Sequence, residues 1–533
     1  MAVEIWVDAS KKLGPVKHNW QFFGYDEPNY TYTQNGKKLL GELAKLSPVP
    51  VYMRCHHLLT SGDGVGRLKW GSTNAYTEDE QGNPIYDWTI VDQIFDAYLD
   101  AGVKPFVQCG FMPKNLTTGP EPYEHNWPEG SIQTGWSYPP KSYEKWAELI
   151  YQWVLHCVGR YGQEEVETWY WEAWNEPDIF FWSGTLEEFI KLYDYTADAI
   201  KRALPTAIVG GPQTTGPENE KGETYLRTFL EHCLRGTNHV TGKIGSPLDF
   251  LGFHTKGRPE WVDGRIQMGM QRAVKRVNRG FEIIAEFPEL KHLPIVLDEA
   301  DPDGTAAISA KERPECDFKN GEIYPAYNAA VFHKFNQLAQ KHGLNLAGIG
   351  TWAFQFENQP WFAGFRSLAT NGVNKPILNL YRMLALMRGE HVTVSCTCAR
   401  MAEDVIAEGV RKQADVNAVA CIDNGEITVL VWHYHDDAVE ADVADVYVSI
   451  NGVVGKRILC EQFRTDAKWS NAYTIWKEMG APQNPSKIQL DVLEQAGQLA
   501  LYDSPQWCWV ADGVVRLTLN LPRFGVALMR LSW

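Results

Sequence analysis

One glutamate of the sequence follows an apolar, aromatic run and is well placed for acid–base chemistry. Glu176 closes the segment 168–176, TWYWEAWNE, and Pro177 comes directly after it. Because proline cannot donate a hydrogen bond to a strand ladder, we expect the strand to stop here, with Asn175 and Glu176 at its rim. The neighbouring tryptophans lower the local dielectric, which favours the protonated carboxyl that a general acid requires. Asn175 offers an amide that is suited to binding a hydroxyl group beside the reacting atom.

A second glutamate has the same position on a later run. Glu299 lies near the end of segment 293–301, LPIVLDEAD. The alternation of a strand predicts that Glu299 and Asp298 point to opposite faces, with only Glu299 directed inward. A carboxylate nucleophile must remain ionised and therefore needs polar neighbours. Arg54 and His56, at the end of an earlier apolar run, are candidates for that task.

The two glutamates form a candidate pair for glycoside hydrolysis. Carboxyls about 5 Å apart act with retention of configuration, whereas wider spacing admits a water molecule and inverts it. Glu172 lies on the same face as Glu176 but roughly 13 Å deeper at about 3.3 Å per residue. It is too deep to reach a substrate, and we expect a structural ion pair, for which Arg54 is a candidate.

The elements that must position these residues are predicted to form a (β/α)8 barrel, an α/β fold. Short apolar runs alternate with helical patterns, such as 186–204 after a capping segment at 183–185. A doubly wound sheet would require a glycine-rich phosphate turn after its first strand, and the sequence has none there. In such barrels the active site lies at the carboxyl ends of the strands. The eight predicted strands are 17–25, 49–57, 104–111, 168–177, 207–213, 248–257, 293–301 and 346–354.

The pattern changes after the predicted barrel. Residues 15–388 are predicted to form the barrel and 389–533 an all-β sandwich, because the later segments alternate with period two. Residues 423–425 and 451–452 have the composition of hairpin turns. The strand-like segment at 1–14 is expected to join the sandwich.

Composition and charge exclude several classes of protein. The formal net charge of −16 argues against nucleic acid or an anionic membrane as a partner. The 21 tryptophans suit the binding of sugar rings. Ten cysteines without a C-x-x-C motif predict free thiols, and the acidic N-terminus does not resemble a signal peptide, so a cytoplasmic location is expected. No H-E-x-x-H motif or phosphate-binding loop is present, and we expect neither a metal nor a cofactor.

Taken together, the motifs of the barrel resemble glycoside hydrolase family 39, which includes β-xylosidases and α-L-iduronidases. Asn-Glu-Pro alone is shared by a wider clan of retaining enzymes on (β/α)8 barrels, whereas the combination is specific to the family. The matching segments are YMRCH at 52–56, KPFVQCGFMP at 104–113, WYWEAWNEPD at 169–178, FHTKG at 253–257, DEADPDG at 298–304 and TWAFQFE at 351–357.

The resemblance implies Glu176 as acid/base and Glu299 as nucleophile. It also implies a subsite for the non-reducing sugar. We expect that subsite to be lined by Arg54, His56, Asn175, His254, Lys256, Trp352 and Glu357. Cys55 and His57 depart from the aromatic residue and the glycine expected beside His56.

These features predict an exo-acting β-xylosidase that releases xylose from the non-reducing ends of xylo-oligosaccharides. An α-L-iduronidase, arabinosidase or galactosidase of the same family is the first alternative, and an iduronidase would use Lys256 or Arg258 to bind the substrate carboxylate. A carbohydrate-binding protein without catalysis is the second, although both carboxylates are present. The resemblance also leaves open a homo-oligomer formed through the β-domain.

Overall fold

Eight parallel strands close into a barrel in sequence order, which confirms the predicted fold class. The computed structural model describes residues 1–127, 130–133 and 135–533. With the N-terminal strand as β1 (Ala2–Pro15), the barrel strands are β2 (Phe22–Tyr25), β3 (Tyr52–Cys55), β4 (Lys104–Cys109), β5 (Tyr170–Ala173), β6 (Ile208–Thr214), β7 (Phe250–Phe253), β8 (Pro294–Leu297) and β9 (Asn345–Trp352).

Each barrel strand overlaps a predicted run, and most are shorter than predicted. The run 168–177 forms a strand only at Tyr170–Ala173, and 293–301 only at Pro294–Leu297. The hydrophobic pattern continues beyond both strands because the following residues are buried in loops over the barrel. Strand alternation therefore does not predict the direction of side chains in these loops.

Helices surround the barrel and connect its strands. Thr185 caps α4 through a reciprocal capping box with Glu188, as the segment 183–185 predicted. The helices are α1 (Gln34–Ala44), α2 (Thr89–Ala101), α3 (Tyr143–Tyr161), α4 (Leu186–Ala203), α5 (Glu220–Arg235), α6 (Met270–Ala285), α7 (Ile323–His342) and α8 (Pro376–Leu386), with a short helical turn at Gln163–Val166.

Outside the barrel and four short two-stranded sheets in its loops, the strands form one ten-stranded sheet, in the order β15-β14-β18-β12-β11-β10-β1-β13-β17, with β16 paired to β14. One face of the sheet carries a separate apolar core that includes Val3, Ile5 and Val7 of β1. The strands are β10 (Glu390–Cys396), β11 (Asp415–Asp423), β12 (Glu426–Tyr434), β13 (Ala444–Asn451), β14 (Arg457–Thr465), β15 (Ala500–Leu501), β16 (Gln506–Trp509), β17 (Val514–Leu521) and β18 (Val526–Ser532).

Two details of this region differ from the sequence prediction. The turn at 423–425 joins the paired strands β11 and β12, but 451–452 does not form a hairpin, because β13 pairs with β1 and β17. After β13 the chain instead crosses to β14, which lies near the opposite edge of the sheet. Three helices also interrupt the strands: α9 (Ala402–Glu408), α10 (Ala472–Glu478) and α11 (Lys487–Ala496).

The barrel interior changes from apolar to charged along its axis. Phe22, Phe106, Phe250 and Val296 form a small cluster at one level. Further toward the carboxyl ends, each of the strands β3, β4 and β5 supplies one buried polar side chain, and Asp298 follows β8: Arg54, Gln108, Glu172 and Asp298. This charged layer is the floor of the candidate site.

The last barrel helix ends at Leu386 and the first strand of the large sheet after it begins at Glu390. All ten cysteines are free thiols. In the ranges that the structure describes, no helix has the length and apolar character needed to cross a bilayer.

Candidate active site

The loop after β5 turns Glu176 back over the barrel. Trp174 and Glu176 both have positive φ angles, of 69° and 42°, so the chain leaves the extended conformation immediately after Ala173. The amide of Glu176 donates to the carbonyl of Gln213 at 2.9 Å, which ties this turn to β6. The predicted rim position of Glu176 therefore comes from a turn anchored to the neighbouring strand.

The loop after β8 places two acids in the mouth, which corrects the prediction for Asp298. Val296 faces the barrel interior, and Asp298, two residues later, also points inward and reaches Arg54 at 2.6 Å. Glu299 lies beyond the end of the strand, where its carboxylate is also within 3.0 Å of Arg54. The alternation was assigned with the wrong parity, because Ile295 and Leu297 pack outward against the helices.

Glu176 and Glu299 lie close together with His254 between them. One oxygen of each carboxylate and one nitrogen of His254 all lie within 4.8 Å of one another. His254 Nδ1 is 2.8 Å from Glu176 Oε1 and 3.7 Å from Glu299 Oε1. Its other nitrogen is 3.4 Å from Asp298. Carboxyl groups of retaining glycosidases are about 5–5.5 Å apart, and those of inverting enzymes about 6.5–9.5 Å.

Arg54 connects most of the charged groups in the floor. Its Nε lies 2.6 Å from both Glu172 Oε1 and Asp298 Oδ2, so the ion pair expected for Glu172 is present. Its terminal nitrogens donate to Glu299 Oε1 at 3.0 Å and to Asn175 Oδ1 at 2.9 Å. The guanidinium is buried, and four acceptors in different strands and loops are fixed by one planar donor group.

The charges of this cluster separate the pKa values of its members. Burial alone raises the pKa of the Glu299 carboxyl, but the cations His254, Lys256 and Arg54 outweigh it and hold the pKa well below its usual range. Burial raises the pKa of Glu172 well above its usual range, although Arg54 opposes the shift and Asp298 adds to it. The charges of the floor therefore favour the ionised form of Glu299.

His254 carries a positive charge at neutral pH. Burial lowers its pKa, but the negative charges of Glu299 and Asp298 outweigh that effect and raise the pKa to about 10. Nδ1 then donates to Glu176 while Nε2 faces Asp298. A doubly protonated imidazole fits a position between two acidic side chains, and its contact with Glu176 fixes the orientation of that side chain.

Lys256 is the second cation that contacts Glu299. Its ammonium lies 2.9 Å from Glu299 Oε2 and 2.8 Å from Asp301 Oδ2. Asp301 is held in turn by Arg366 at 3.2 Å and by the Tyr324 hydroxyl at 3.1 Å. The sequence reasoning did not single out Asp301 or Arg366, although Asp301 lies in the same strand-end segment as Glu299.

His56 is held by a carboxylate that the sequence reasoning also missed. Its Nδ1 is 2.9 Å from Asp26, which also accepts from Trp352 Nε1 at 2.9 Å and pairs with Lys69. Burial lowers the pKa of His56, so the ring is neutral, donates from Nδ1 and accepts from Arg54 Nη1 at 3.2 Å through Nε2. Asp26 follows the end of β2, so the strand-end rule predicts it, whereas Lys69 lies in a long loop without such a signal.

Comparisons with known proteins identify the family. The model for glycosyl hydrolases family 39 matches residues 3–506. The chain belongs to glycosyl hydrolase family 39. It is therefore a glycoside hydrolase, and its substrate is a carbohydrate.

Relatives within family 39 differ in their sugars. The chain is 28% identical over 448 residues to a β-xylosidase of Caldicellulosiruptor saccharolyticus, which covers 82% of each chain. It is 33% identical over 305 residues to the α-L-iduronidase of Homo sapiens, covering 56% of this chain and 42% of that protein. A monomeric β-xylosidase from Caulobacter crescentus CB15 has the same fold, with a TM-score of 0.77, 23% identity and 99% coverage of both chains.

The residues expected from the family 39 resemblance are not equally close to the two glutamates. Arg54, His56, Asn175, His254 and Lys256 contact Glu176, Glu299 or a direct neighbour of either, and Trp352 packs on the ring of His56 with centroids 4.3 Å apart. A side chain at Gly24 would collide with the Trp352 ring, so glycine at this position allows Trp352 to lie across the mouth.

Glu357 occupies a different position from the other expected residues. Its carboxylate accepts from Thr33 at 2.6 Å, Asn35 at 3.0 Å and Gln355 at 3.1 Å. These contacts tie the loop after β9 to the start of α1. Its place in a sugar subsite stays a prediction.

Cys55 and His57, the two residues beside His56 that differ from the family pattern, are packed within the protein. Cys55 is fully buried, and His57 contacts Thr60 through Nδ1 at 3.0 Å. Arg258, the second cation considered for a substrate carboxylate, is largely exposed and pairs with Glu260 at 3.2 Å. Lys256 is thus the better placed of the two.

Proposed function

We propose that the protein is a retaining exo-glycosidase, with Glu299 as nucleophile and Glu176 as acid/base, and that it releases xylose from xylo-oligosaccharides. The observation that carries this proposal is the approach of the two carboxylates to within 4.8 Å. That approach of the two oxygens favours direct attack by one carboxylate, as in a retaining reaction.

The charges assign the two roles in the reaction. Glu299 is held ionised by its cationic neighbours, as a nucleophile must be. It attacks the anomeric carbon while Glu176 gives a proton to the leaving oxygen, and a covalent glycosyl–enzyme forms. Glu176, now a carboxylate, takes a proton from water, which attacks the same carbon and frees Glu299. Both steps invert the configuration, so the product retains it.

Neighbouring side chains position the sugar and the acid. The Asn175 amide Nδ2 is buried and has no hydrogen-bond acceptor among the described residues, so it is available for a sugar hydroxyl. His254 holds Glu176 at 2.8 Å, and the Trp352 indole forms part of the wall beside His56. Aromatic walls of this kind support the apolar face of a sugar ring.

A β-xylosidase is favoured because the β-xylosidase of Caldicellulosiruptor saccharolyticus matches over 82% of both chains. Lys256 favours a second candidate, a glycosidase for uronic acids such as α-L-iduronides, because an ammonium in the mouth attracts a substrate carboxylate. Two carboxylates of the protein already neutralise Lys256, which is why we place this candidate second. Activity on aryl β-D-xylosides and on aryl α-L-iduronides, measured side by side, separates the two candidates.

The nucleophile is tested with Glu299→Ala. We expect a loss in kcat of at least about 10³-fold, with partial recovery in azide and a glycosyl azide of inverted configuration as product. Glu403→Ala, which removes an exposed glutamate of α9, is the matched control and should keep full activity. An active Glu299→Ala enzyme, or one that azide does not rescue, would contradict the assignment.

A further inference from the structure

A cluster of two histidines and an aspartate lies on the barrel wall, away from the mouth. Asp194 is on α4, His232 on the last turn of α5, and His239 in the segment that leads to β7. Because helices α4 and α5 pack outside the strands, the cluster lies on the outer wall of the barrel. One donor atom from each of the three residues lies within 4.8 Å of the others.

The contacts converge on one buried carboxylate. His232 Nε2 lies 2.9 Å and 3.0 Å from the two oxygens of Asp194, and His239 Nδ1 lies 2.7 Å from Oδ2. The hydroxyl of Ser246 and the amide of His239 also donate to Asp194. The Asp194 side chain is fully buried, whereas His239 is one quarter exposed, which gives the cluster one side open to solvent.

His239 has a carboxylate at both ring nitrogens. Nδ1 faces Asp194, and Nε2 lies 2.9 Å from Glu187 Oε1. A neutral imidazole has one N–H, so it can donate to only one of these carboxylates, and its other lone pair would face an oxygen. Both contacts are favourable at the same time only if a positive charge, such as a metal ion at one nitrogen, lies between the ring and a carboxylate.

We propose that Asp194, His232 and His239 bind a divalent transition metal ion, of which Zn²⁺ is the best match. Two imidazole nitrogens and one carboxylate oxygen form a donor set typical of zinc, with a fourth position for water on the exposed side. Glu187 then accepts the remaining N–H of His239, an arrangement that orients histidine ligands in many zinc sites.

The contacts of the two histidines with Asp194 require only a small adjustment to hold the ion. With Zn–N and Zn–O bonds of about 2.0–2.2 Å, ligand atoms of a tetrahedral site are about 3.3 Å apart. The Asp194 contacts at 2.7–3.0 Å would have to open by roughly half an ångström. The ion would join α4, α5 and the segment 236–246, and we assign it a structural role without a part in catalysis.

The test is a Zn²⁺ titration of tag-free, chelator-treated protein by calorimetry at neutral pH, with thermal unfolding in parallel. We expect one Zn²⁺ equivalent to be lost in His239→Gln and in His232→Gln relative to the parent protein. Zn²⁺ should raise the Tm of the parent by a few degrees but not that of the variants. His156→Gln, which removes a histidine paired with Asp92 on another helix pair, is the control and should keep the parent response.

Comparison of the parent protein with these variants also distinguishes the proposed site from a second histidine–carboxylate cluster, which consists of Glu176, His254 and Glu299. Zn²⁺ bound there would inhibit turnover and would persist in His239→Gln. Equal Zn²⁺ stoichiometry in the parent protein and both variants would overturn the proposal, because the bound ion would then lie elsewhere. If a variant does not fold, visible absorption of the Co²⁺-loaded parent decides instead. Four-coordinate bands support the site, and a spectrum like that of free Co²⁺ contradicts it.

Discussion

At the scale of single residues, the balance of charge around Glu299 governs the chemistry that the mouth can perform. Arg54 and Lys256 contact different oxygens of this carboxylate, at 3.0 Å and 2.9 Å, and His254 Nδ1 lies 3.7 Å from the oxygen that Arg54 contacts. Together they keep Glu299 ionised in a buried position, where an isolated carboxylate would take up a proton.

Lys256→Met tests this balance through the pH dependence of kcat/KM. The variant loses one of the cations that lower the pKa of Glu299, so that pKa rises and the acidic limb of the profile moves to higher pH. Arg258→Met is the control, because Arg258 is largely exposed and pairs with Glu260. An acidic limb that stays in place in Lys256→Met would show that this cation does not set the ionisation of the nucleophile.

His254 links the same charges to stability. Its pKa is raised from 6.5 to about 10, so its contribution to stability is fully present below pH 6.5 and is lost as the pH rises through 10. We expect the Tm of the parent protein to fall more between pH 6.5 and 9.5 than that of His254→Gln. Thermal unfolding of both proteins at several pH values measures this, and parallel Tm curves would argue against a buried imidazolium.

The contacts of single side chains could be predicted from the sequence mainly where the end of a strand fixed the position of the residue. The pairing of Arg54 with Glu172 was predicted correctly, from two strands with β4 between them. The orientation of Asp298 was wrong because the side-chain parity of β8 was misassigned. Lys69 reaches Asp26 from a long loop, and local sequence patterns carry no information about such a contact.

At the scale of elements, one buried ion pair joins the barrel to the sheet domain. Lys334 of α7 lies 2.7 Å from Asp415 of β11, and both side chains are fully buried. Asp415 also accepts from the indole of Trp432 at 3.0 Å and from the amide of Arg400 at 2.7 Å. The carboxylate thus supports a helix and two parts of the sheet domain at once.

Asp415→Ala should strongly destabilise this junction. It leaves the Lys334 ammonium buried without its partner, a change that costs about 3–5 kcal/mol of unfolding free energy. Chemical denaturation of the variant and the parent protein measures the difference. Asp63→Ala, which breaks an exposed pair with Arg67, is the matched control and should have little effect. A similar stability for the two variants would mean that the junction does not depend on this pair.

The elements themselves were predictable because periodicity repeats over many residues. Eight apolar runs separated by helical patterns indicated a barrel, and the capping segment before α4 marked its start. Strand ends were less predictable, since buried loop residues such as Trp174 continue the same hydrophobic pattern. The hairpin at 451–452 was predicted wrongly for a related reason. The composition of these residues indicates that the chain reverses there, but not which strands pair with each other.

At the scale of the whole molecule, the first strand completes a sheet whose other strands come from the last third of the chain. β1 lies between β10 and β13, antiparallel to the first and parallel to the second. The sheet core therefore cannot form until the chain from residue 390 onward is available. The predicted pairing of the N-terminal segment with this domain matches that arrangement.

Ile5→Ala and Trp6→Ala test the contribution of β1. Ile5 is fully buried in the sheet core, whereas Trp6, its neighbour on the opposite face, is 41% exposed. We expect Ile5→Ala to lower the free energy of unfolding by about 2–5 kcal/mol. Trp6→Ala should have a much smaller effect, and equal losses in denaturation experiments would show that the core does not enclose β1 as described.

The assignment of Glu176 and Glu299 as a retaining pair is tested most directly by NMR. The anomeric proton of the released sugar is followed during hydrolysis of an aryl β-D-xyloside, or of an aryl α-L-iduronide if that is the substrate cleaved. Carboxylate oxygens within 4.8 Å predict that the first product formed has the configuration of the substrate, before mutarotation sets in. A first product of opposite configuration would contradict the account of Glu176 and Glu299.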